Sequence, residues 1–243
     1  MTIWLRSTTS TMIDAAVLAE HGEAHGTAVV AESQTAGTGR HGHSWHSADA
    51  GGLYVSIILR LHFLPRDLPL LTMALGLGVQ RALQPEAATD IRWPNDILLD
   101  GKKLAGVLVQ TPATGVAIAG IGLNVNQTSF PDDLAEIATS LRLHSGEAIC
   151  KEQILERIVA DCLAEAAALA AGGRDSVLAR FGECSSWVRG KAVEVQQGRQ
   201  LIRGITDGLD ADGFLLVRTT TGVETILTGG VRQGLNFLTR QSV

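Results

Sequence analysis

From Thr11 to Glu20 the stretch "TMIDAAVLAE" places apolar side chains at helical spacing, behind a Ser10 or Thr11 suited to capping, and predicts a helix. Thr27 to Ala31 predicts a strand. A glycine-bearing loop follows, and "GGLYVSIILRL" after it reads as a second, buried strand, with no helical pattern between the two. Arg66 to Leu83, "RDLPLLTMALGLGVQRAL", has helical length and an apolar face, and its Pro69 fits only a first turn. The runs "IRWPNDILLDGKKLAGVLVQ" and "TGVAIAGIGLNVN" are β-type and joined by turns. With the hairpin signal Asp100-Gly101 they imply three or four more strands.

Lys151 to Ala171 is the clearest amphipathic helix, and Asp175 to Phe181 predicts another short one. After "FGECSSWVRG" the pattern changes to short strands separated by Gly-containing turns, which suits a small β-barrel rather than a second enzyme. No internal repeat is evident. The predicted organisation is therefore a first domain over 1–188 and a second over 189–243, with the boundary near Gly190.

A chain of 243 residues with 45% hydrophobic content can bury a full core. Its formal charge of −5 supplies no basic footprint for phosphate backbones, so no nucleic-acid partner is expected. The start "MTIWLRSTTS" has no apolar core of signal-peptide length, and no run of about 18 apolar residues occurs. The expectation is a cytoplasmic protein without a membrane partner. Cys150, Cys162 and Cys184 are odd in number and lack C-x-x-C spacing, so buried free thiols are expected rather than disulfides or zinc.

The loop "ESQTAGTGRHGHSW" carries a literal G-x-G-x-x-G at Gly37, Gly39 and Gly42. A dinucleotide fingerprint would continue into a helix and place an acidic residue about 20 positions on. Here the chain passes into another strand, and that position falls near Leu59 to Leu61. The phosphate-loop ending G-K-[ST] is absent too. What remains is a loop whose glycines let backbone N–H groups approach a ligand, one cation at Arg40 and an aromatic ring at Trp45, a set that suits a phosphate and a base. The bland alternative is a surface loop that turns the chain. His41, His43 and His46 lie close together, but without a carboxylate or cysteine at a recognised spacing they predict no metal site.

Lys102 and Lys103 follow the Asp100-Gly101 turn, and strand alternation would point them to opposite faces. Only one can face a ligand. The residues alone do not choose between them.

In order and spacing, "STM" at Ser10 to Met12, "ESQTAGTGRHGHSW" at Glu32 to Trp45, "RWPNDILLDGKKLAGVLVQ" at Arg92 to Gln110 and "GIGLNVNQ" at Gly120 to Gln127 resemble the biotin protein ligases. The tail "GITDGLDADGFLLVRTTTGVETILTGGV" resembles that family's small SH3-like C-terminal domain. The resemblance implies an α+β fold, with a mixed β-sheet and helices like the class II aminoacyl-tRNA synthetase catalytic domain, plus a C-terminal SH3-like β-barrel. It implies a two-step reaction using biotin, ATP and Mg²⁺: formation of biotinyl-5′-AMP, then transfer to a lysine of a biotin carboxyl carrier protein of acetyl-CoA carboxylase or a related carboxylase.

By resemblance, Lys103 and Arg40 are catalytic, and the "KLAG" match selects Lys103 over Lys102. Ser10, Thr11, Met12, Gln34, Thr38, Gly39, Arg40, Lys103 and Gly106 are implied for biotin, and Arg40, Trp45, Asn95, Lys103 and Asn124 for ATP. No protein ligand for a metal is implied. Met12 stands where asparagine is common, and Thr38 and His43 stand where arginine is often seen; Trp93 is read as a packing residue. The resemblance further implies that the glycine loop orders over the ligand as a lid.

Many relatives carry an N-terminal DNA-binding domain. Here the catalytic pattern begins by Ser10, so a monomeric or homodimeric ligase without repressor function is expected. Two alternatives stand beside this reading: a lipoate-attaching ligase of the same fold, and a non-catalytic biotin-binding protein.

Overall fold

A computed structural model describes residues 1–47 and 51–234. Its larger sheet has seven strands: β1 (Thr2–Leu5), β2 (Ala28–Ala31), β3 (Gly52–Leu59), β4 (Asp90–Arg92), β5 (Asp96–Leu99), β6 (Lys102–Ala113) and β7 (Val116–Asn124), in the order β1-β2-β3-β7-β6-β5-β4. β1 and β2 are parallel, linked through helix α1 (Thr11–Glu20), and every other neighbour is antiparallel. The sheet is mixed, as expected. β1 escapes the sequence pattern because it is a four-residue edge strand whose side chains are alternately exposed and half-buried.

The two faces of the sheet have different work. Leu53, Val55, Ile57 and Leu59 of β3, with Ala117, Ala119, Ile121 and Leu123 of β7, join the main core against α2 (Leu68–Leu83) and α4 (Lys151–Ala170). On the opposite face Ile58 and Ile118 pack under α1, with Met12, Ala15 and Ala19. Because both faces of β3 are covered, its run is apolar without alternation. Cys162 of α4 lies where Gly78 of α2 allows close approach: a Cβ on Gly78 would stand 3.0 Å from the Cys162 backbone. Burial pushes the Cys162 thiol up. Cys150 and Cys184 are exposed, against the expectation of buried thiols, because they sit at the ends of α4 and of α5 (Arg174–Cys184) rather than on packed faces.

Buried Glu165 ties the helices together. Arg180 of α5 grips both of its oxygens at 2.7 Å and Arg81 of α2 donates to one at 2.9 Å. The short helix α3 (Leu141–Ser145) is capped by Ser140, which accepts from the Leu143 N–H, and it ends on Gly146 at φ +81. No helix among the described residues is long and apolar enough to cross a membrane.

β8 (Arg189–Gln197), β9 (Gln200–Leu209), β10 (Leu215–Arg218), β11 (Val223–Ile226) and β12 (Val231–Gln233) form a second, antiparallel sheet in the order β11-β10-β9-β8-β12. The expected SH3-like barrel is corrected here: β11 and β12 are the two ends of an open sheet and do not pair with each other among the described residues. Closure would need a ladder between them. Instead the Leu227 and Thr228 N–H groups, in the link between these strands, donate to Gln197 Oε1, and three-residue β12 is spent on β8. Residues 235–243 of the expected second domain lie outside the described part of the chain.

The second sheet is fastened to the first at a turn. Trp93 Nε1 donates to the Gly213 carbonyl at 2.9 Å, and Arg174 donates to Asp212 and to the Ala211 carbonyl while also pairing with Asp67. Gly213 sits at φ +85, a conformation that side chains rarely adopt, and a Cβ there would stand 2.5 Å from Leu70 Cδ2.

Candidate active site

Strand register builds the floor of a cavity of about 220 Å³. Tyr54, Gly122 and Gly106 form one row across β3, β7 and β6, and Ser56, Gly120 and Leu108 form the next. The central glycines keep this face bare. A Cβ on Gly122 would stand 2.5 Å from Trp45 Cε2, and one on Gly120 would run into the Met12 thioether, so an indole and a thioether occupy the space that side chains would have filled.

The glycine loop forms the opposite wall and closes on itself. Thr38 bridges Ser44, the Gly39 N–H donates to His43 O at 2.7 Å, and the Trp45 N–H donates to Gly37 O at 2.8 Å. A single turn, Arg40–Gly42, makes its tip, which Gly42 permits at φ +76. Arg40 Nη1 reaches Asn95 Oδ1 at 3.1 Å, and Asn95 Nδ2 donates to Val107 O at 2.9 Å, so the loop tip is pinned to the β4–β5 turn.

Lys103 owes its direction to a bulge. On β5, Ile97 pairs with Ala105 and Leu98 with Lys103, which leaves Leu104 as one extra residue on β6. Counting back from Gly106 by strict alternation would bring Lys102 to the cavity. The bulge changes the phase, so Lys103 lines it while Lys102 reaches out to the Ala135 carbonyl. Lys103 Nζ lies 2.7 Å from Asp96 Oδ1 and 5.1 Å from the centre of the Trp45 ring. Arg92 takes the other carboxylate oxygen, at 2.7 Å. Burial alone would push the Asp96 carboxyl up, but Lys103 and Arg92 together hold it below its ordinary value and keep it ionised. Burial lowers the affinity of the Arg40 guanidinium for its proton and Asp96 partly restores it, and arginine stays charged.

The other end of the cavity is polar and neutral. Gln34 Oε1 accepts from the Thr11 N–H at 2.9 Å and from its hydroxyl at 3.2 Å, and Thr11 Oγ1 lies 2.8 Å from Ser56 Oγ. Ser10 Oγ is buried beside them without a hydrogen-bond partner among the described residues. Gly229 and Gly230 of the link between β11 and β12, with Val231 of β12, complete the rim.

A model described as the biotin/lipoate A/B protein ligase family matches residues 4–126, and one described as the biotin protein ligase C terminal domain matches 189–231. The chain is 35% identical over 239 residues to the bifunctional ligase/repressor BirA of Bacillus spizizenii, covering 93% of this chain and 71% of that protein. It is 32% identical over 197 residues to the biotin–acetyl-CoA-carboxylase ligase of Mycobacterium tuberculosis, covering 78% and 72%. The solved structure of the Aquifex aeolicus biotin protein ligase in complex with biotin and ATP superposes with a TM-score of 0.84 at 30% identity, over 96% of this chain and 99% of that one.

The chain belongs to the biotin protein ligases.

In this ligase, Ser10, Thr11, Met12, Gln34, Thr38, Gly39, Arg40, Trp45, Asn95, Lys103 and Gly106 all line the one cavity. Asn124 does not. Its amide donates to Thr139 O at 3.0 Å and accepts from Gln127, and so braces the segment that runs beside Lys103. The side chain of His41 lies outside the described part of the structure. Among the described residues no group of three His, Cys, Asp or Glu side chains is placed to hold a metal.

Sequence reasoning did not find Asp96, Tyr54, Gly120, Gly122 or the rim from the second sheet. The pair Gly120 and Gly122 was readable: two glycines at alternate positions of one strand leave the same face bare. Gly122→Ala is accordingly expected to dislodge the Trp45 ring and weaken ATP binding by up to about tenfold, the scale of one aromatic contact. Titration with a non-hydrolysable ATP analogue checks this, and parental affinity would show that the indole takes no part.

Proposed function

We propose that this cavity joins biotin to ATP, giving biotinyl-5′-AMP and pyrophosphate, and passes the biotinyl group to a lysine of a biotin carboxyl carrier protein. The observation that carries the reading is the polarity of the cavity: hydrogen-bonding groups at Ser10, Thr11 and Gln34 at one end, two cations at Arg40 and Lys103 at the other. The neutral end suits the ureido ring, with the buried Ser10 hydroxyl open to a ligand. The charged end suits the meeting of two anions, a carboxylate and a triphosphate, whose repulsion a fixed cation offsets.

In the first step a biotin carboxylate oxygen attacks the α-phosphorus and the bond to the β-phosphate oxygen breaks. Lys103 faces the charge that develops there, Arg40 binds the phosphate through its planar fork, and Trp45 offers a face to adenine. In the second step the carrier lysine amine attacks the biotinyl carbonyl and AMP leaves. Mg²⁺ would offset phosphate charge if it accompanied the nucleotide; Asp96, the carboxylate lining the cavity, is already engaged by two cations, so the ion would be held chiefly by phosphate and water.

Incubation with biotin, MgATP and a carrier domain, followed by mass measurement of the carrier, tests the whole reading. Expected is the addition of one biotinyl group. Lipoate in place of biotin is expected to give no adenylate; preferential use of lipoate, or no pyrophosphate release with either acid, would overturn it.

We also propose two domains, 1–188 and 189–243. A chain cut before Gly190 is expected to stay folded yet ligate poorly, because Gly229 to Val231 leave the cavity rim and Trp93 loses its acceptor at Gly213. Full ligation by the shortened chain would refute a role for the second domain.

A further inference from the structure

The segment between α5 and β8 does more than connect. Ser185 Oγ donates to the Ile91 carbonyl and Ser186 bonds both oxygens of Asp90, so the chain lies zipped along β4 and delivers Trp187 onto Arg92. Two cations lie over the Trp187 ring: Arg92 Cζ is 5.5 Å from its centre, and Lys191 Nζ, from β8 of the second sheet, is 4.9 Å from it. Arg92 itself stays outside the cavity, and its guanidinium bonds the Asp96 oxygen that Lys103 does not use.

We propose that Arg92 is a positioning residue for Lys103, and that through Trp187 it makes adenylation depend on how the second sheet is seated. The proposal rests on the role given to Lys103 above. Asp96 and an incoming phosphate compete for the Lys103 ammonium. With Arg92 on one oxygen, the carboxylate shares its charge between two cations and holds Lys103 less exclusively, so the ammonium can turn to the phosphate. Without Arg92, Asp96 and Lys103 become a closed pair. The charged groups facing Asp96 are Arg92 from β4, Lys103 from β6 and Arg40 from the glycine loop, all cationic, so the loss of one raises the pH at which the carboxylate takes a proton.

The test is biotin-dependent ATP–pyrophosphate exchange by the full chain across the acid range. Arg92→Gln is expected to slow exchange about tenfold, the low end for a hydrogen bond to a charged group. The deficit should shrink toward acid pH, where Asp96 takes its proton and releases Lys103, with KM for biotin unchanged. Arg92→Lys, which keeps the cation, should restore the parental pH profile, a result that a purely packing role would not give. Trp187→Leu should slow exchange in the same direction and keep the parental KM for biotin.

Parental rate and pH profile in Arg92→Gln would overturn the relay. Should that variant fail to fold, Trp187→Leu decides: parental exchange in it overturns the proposal, and slowed exchange with unchanged biotin KM supports it. A parent chain that exchanges no pyrophosphate would overturn the underlying reading and the relay with it, whereas an active parent with indifferent variants overturns the relay alone.

Discussion

Lys103→Ala is expected to slow biotinyl-5′-AMP formation by about a hundred- to a thousandfold, the usual consequence of removing one preorganised charge-stabilising donor. Lys103 stands at the cavity wall, partly exposed, so its truncation leaves no hole in the core. Asp96 would still be held by Arg92, and no buried charge is left alone. Lys102→Ala is the control. Its ammonium donates to the Ala135 carbonyl at the surface, and its loss should leave the rate within about twofold, as for most exposed polar contacts. Single-turnover measurement of the adenylate in both variants checks the pair. If Lys102→Ala is the inactive one, the phase assigned to β6 around Leu104 is wrong.

The second large effect concerns retention of the intermediate. Arg40→Ala is expected to release biotinyl-5′-AMP about ten- to a hundredfold faster, a larger loss than that of biotin affinity, because in the proposed reaction the guanidinium addresses a phosphate that biotin lacks. A second cause acts in the same direction. Arg40 pins the loop tip to Asn95, and without that bond only the internal closure of the loop, Thr38 on Ser44 and Gly39 on His43, remains to shape it. Released adenylate would acylate lysines of unrelated proteins. The dissociation rate of the intermediate, measured beside labelling of a bystander protein, decides: parental retention and no labelling would remove Arg40 from the phosphate.

Long, strongly patterned elements were legible in the sequence. α1, α2 and α4 begin and end within a residue or two of where periodicity and capping place them, and Asp100-Gly101 makes the hairpin turn, with both residues at positive φ. What was not legible depends on partners distant in the chain. β1 exists because β2 pairs with it, and nothing in "TIWL" announces that. The open second sheet turns on where Gln197 sends its side chain, which strand-like runs do not encode. Around the cavity, the glycine loop, Arg40 and Trp45 could be singled out by residue type. Asp96 could not, because a carboxylate after Trp-Pro-Asn looks like any turn residue until the register sets it between Arg92 and Lys103. The same limit left Lys102 and Lys103 unresolved by alternation, to which a bulge is invisible, so that only the KLAG resemblance chose Lys103.

The residues lining the cavity run from Ser10 at one extreme to Val231 at the other. Synthesis proceeds from the amino end, and domains commonly fold as they emerge. The floor strands, the glycine loop and Lys103 are all made well before Gly229 to Val231, so a nascent chain that has folded its first sheet still lacks part of the rim. The cavity thus draws on both ends of the described chain, and its lining is whole only once the last described strand has been made.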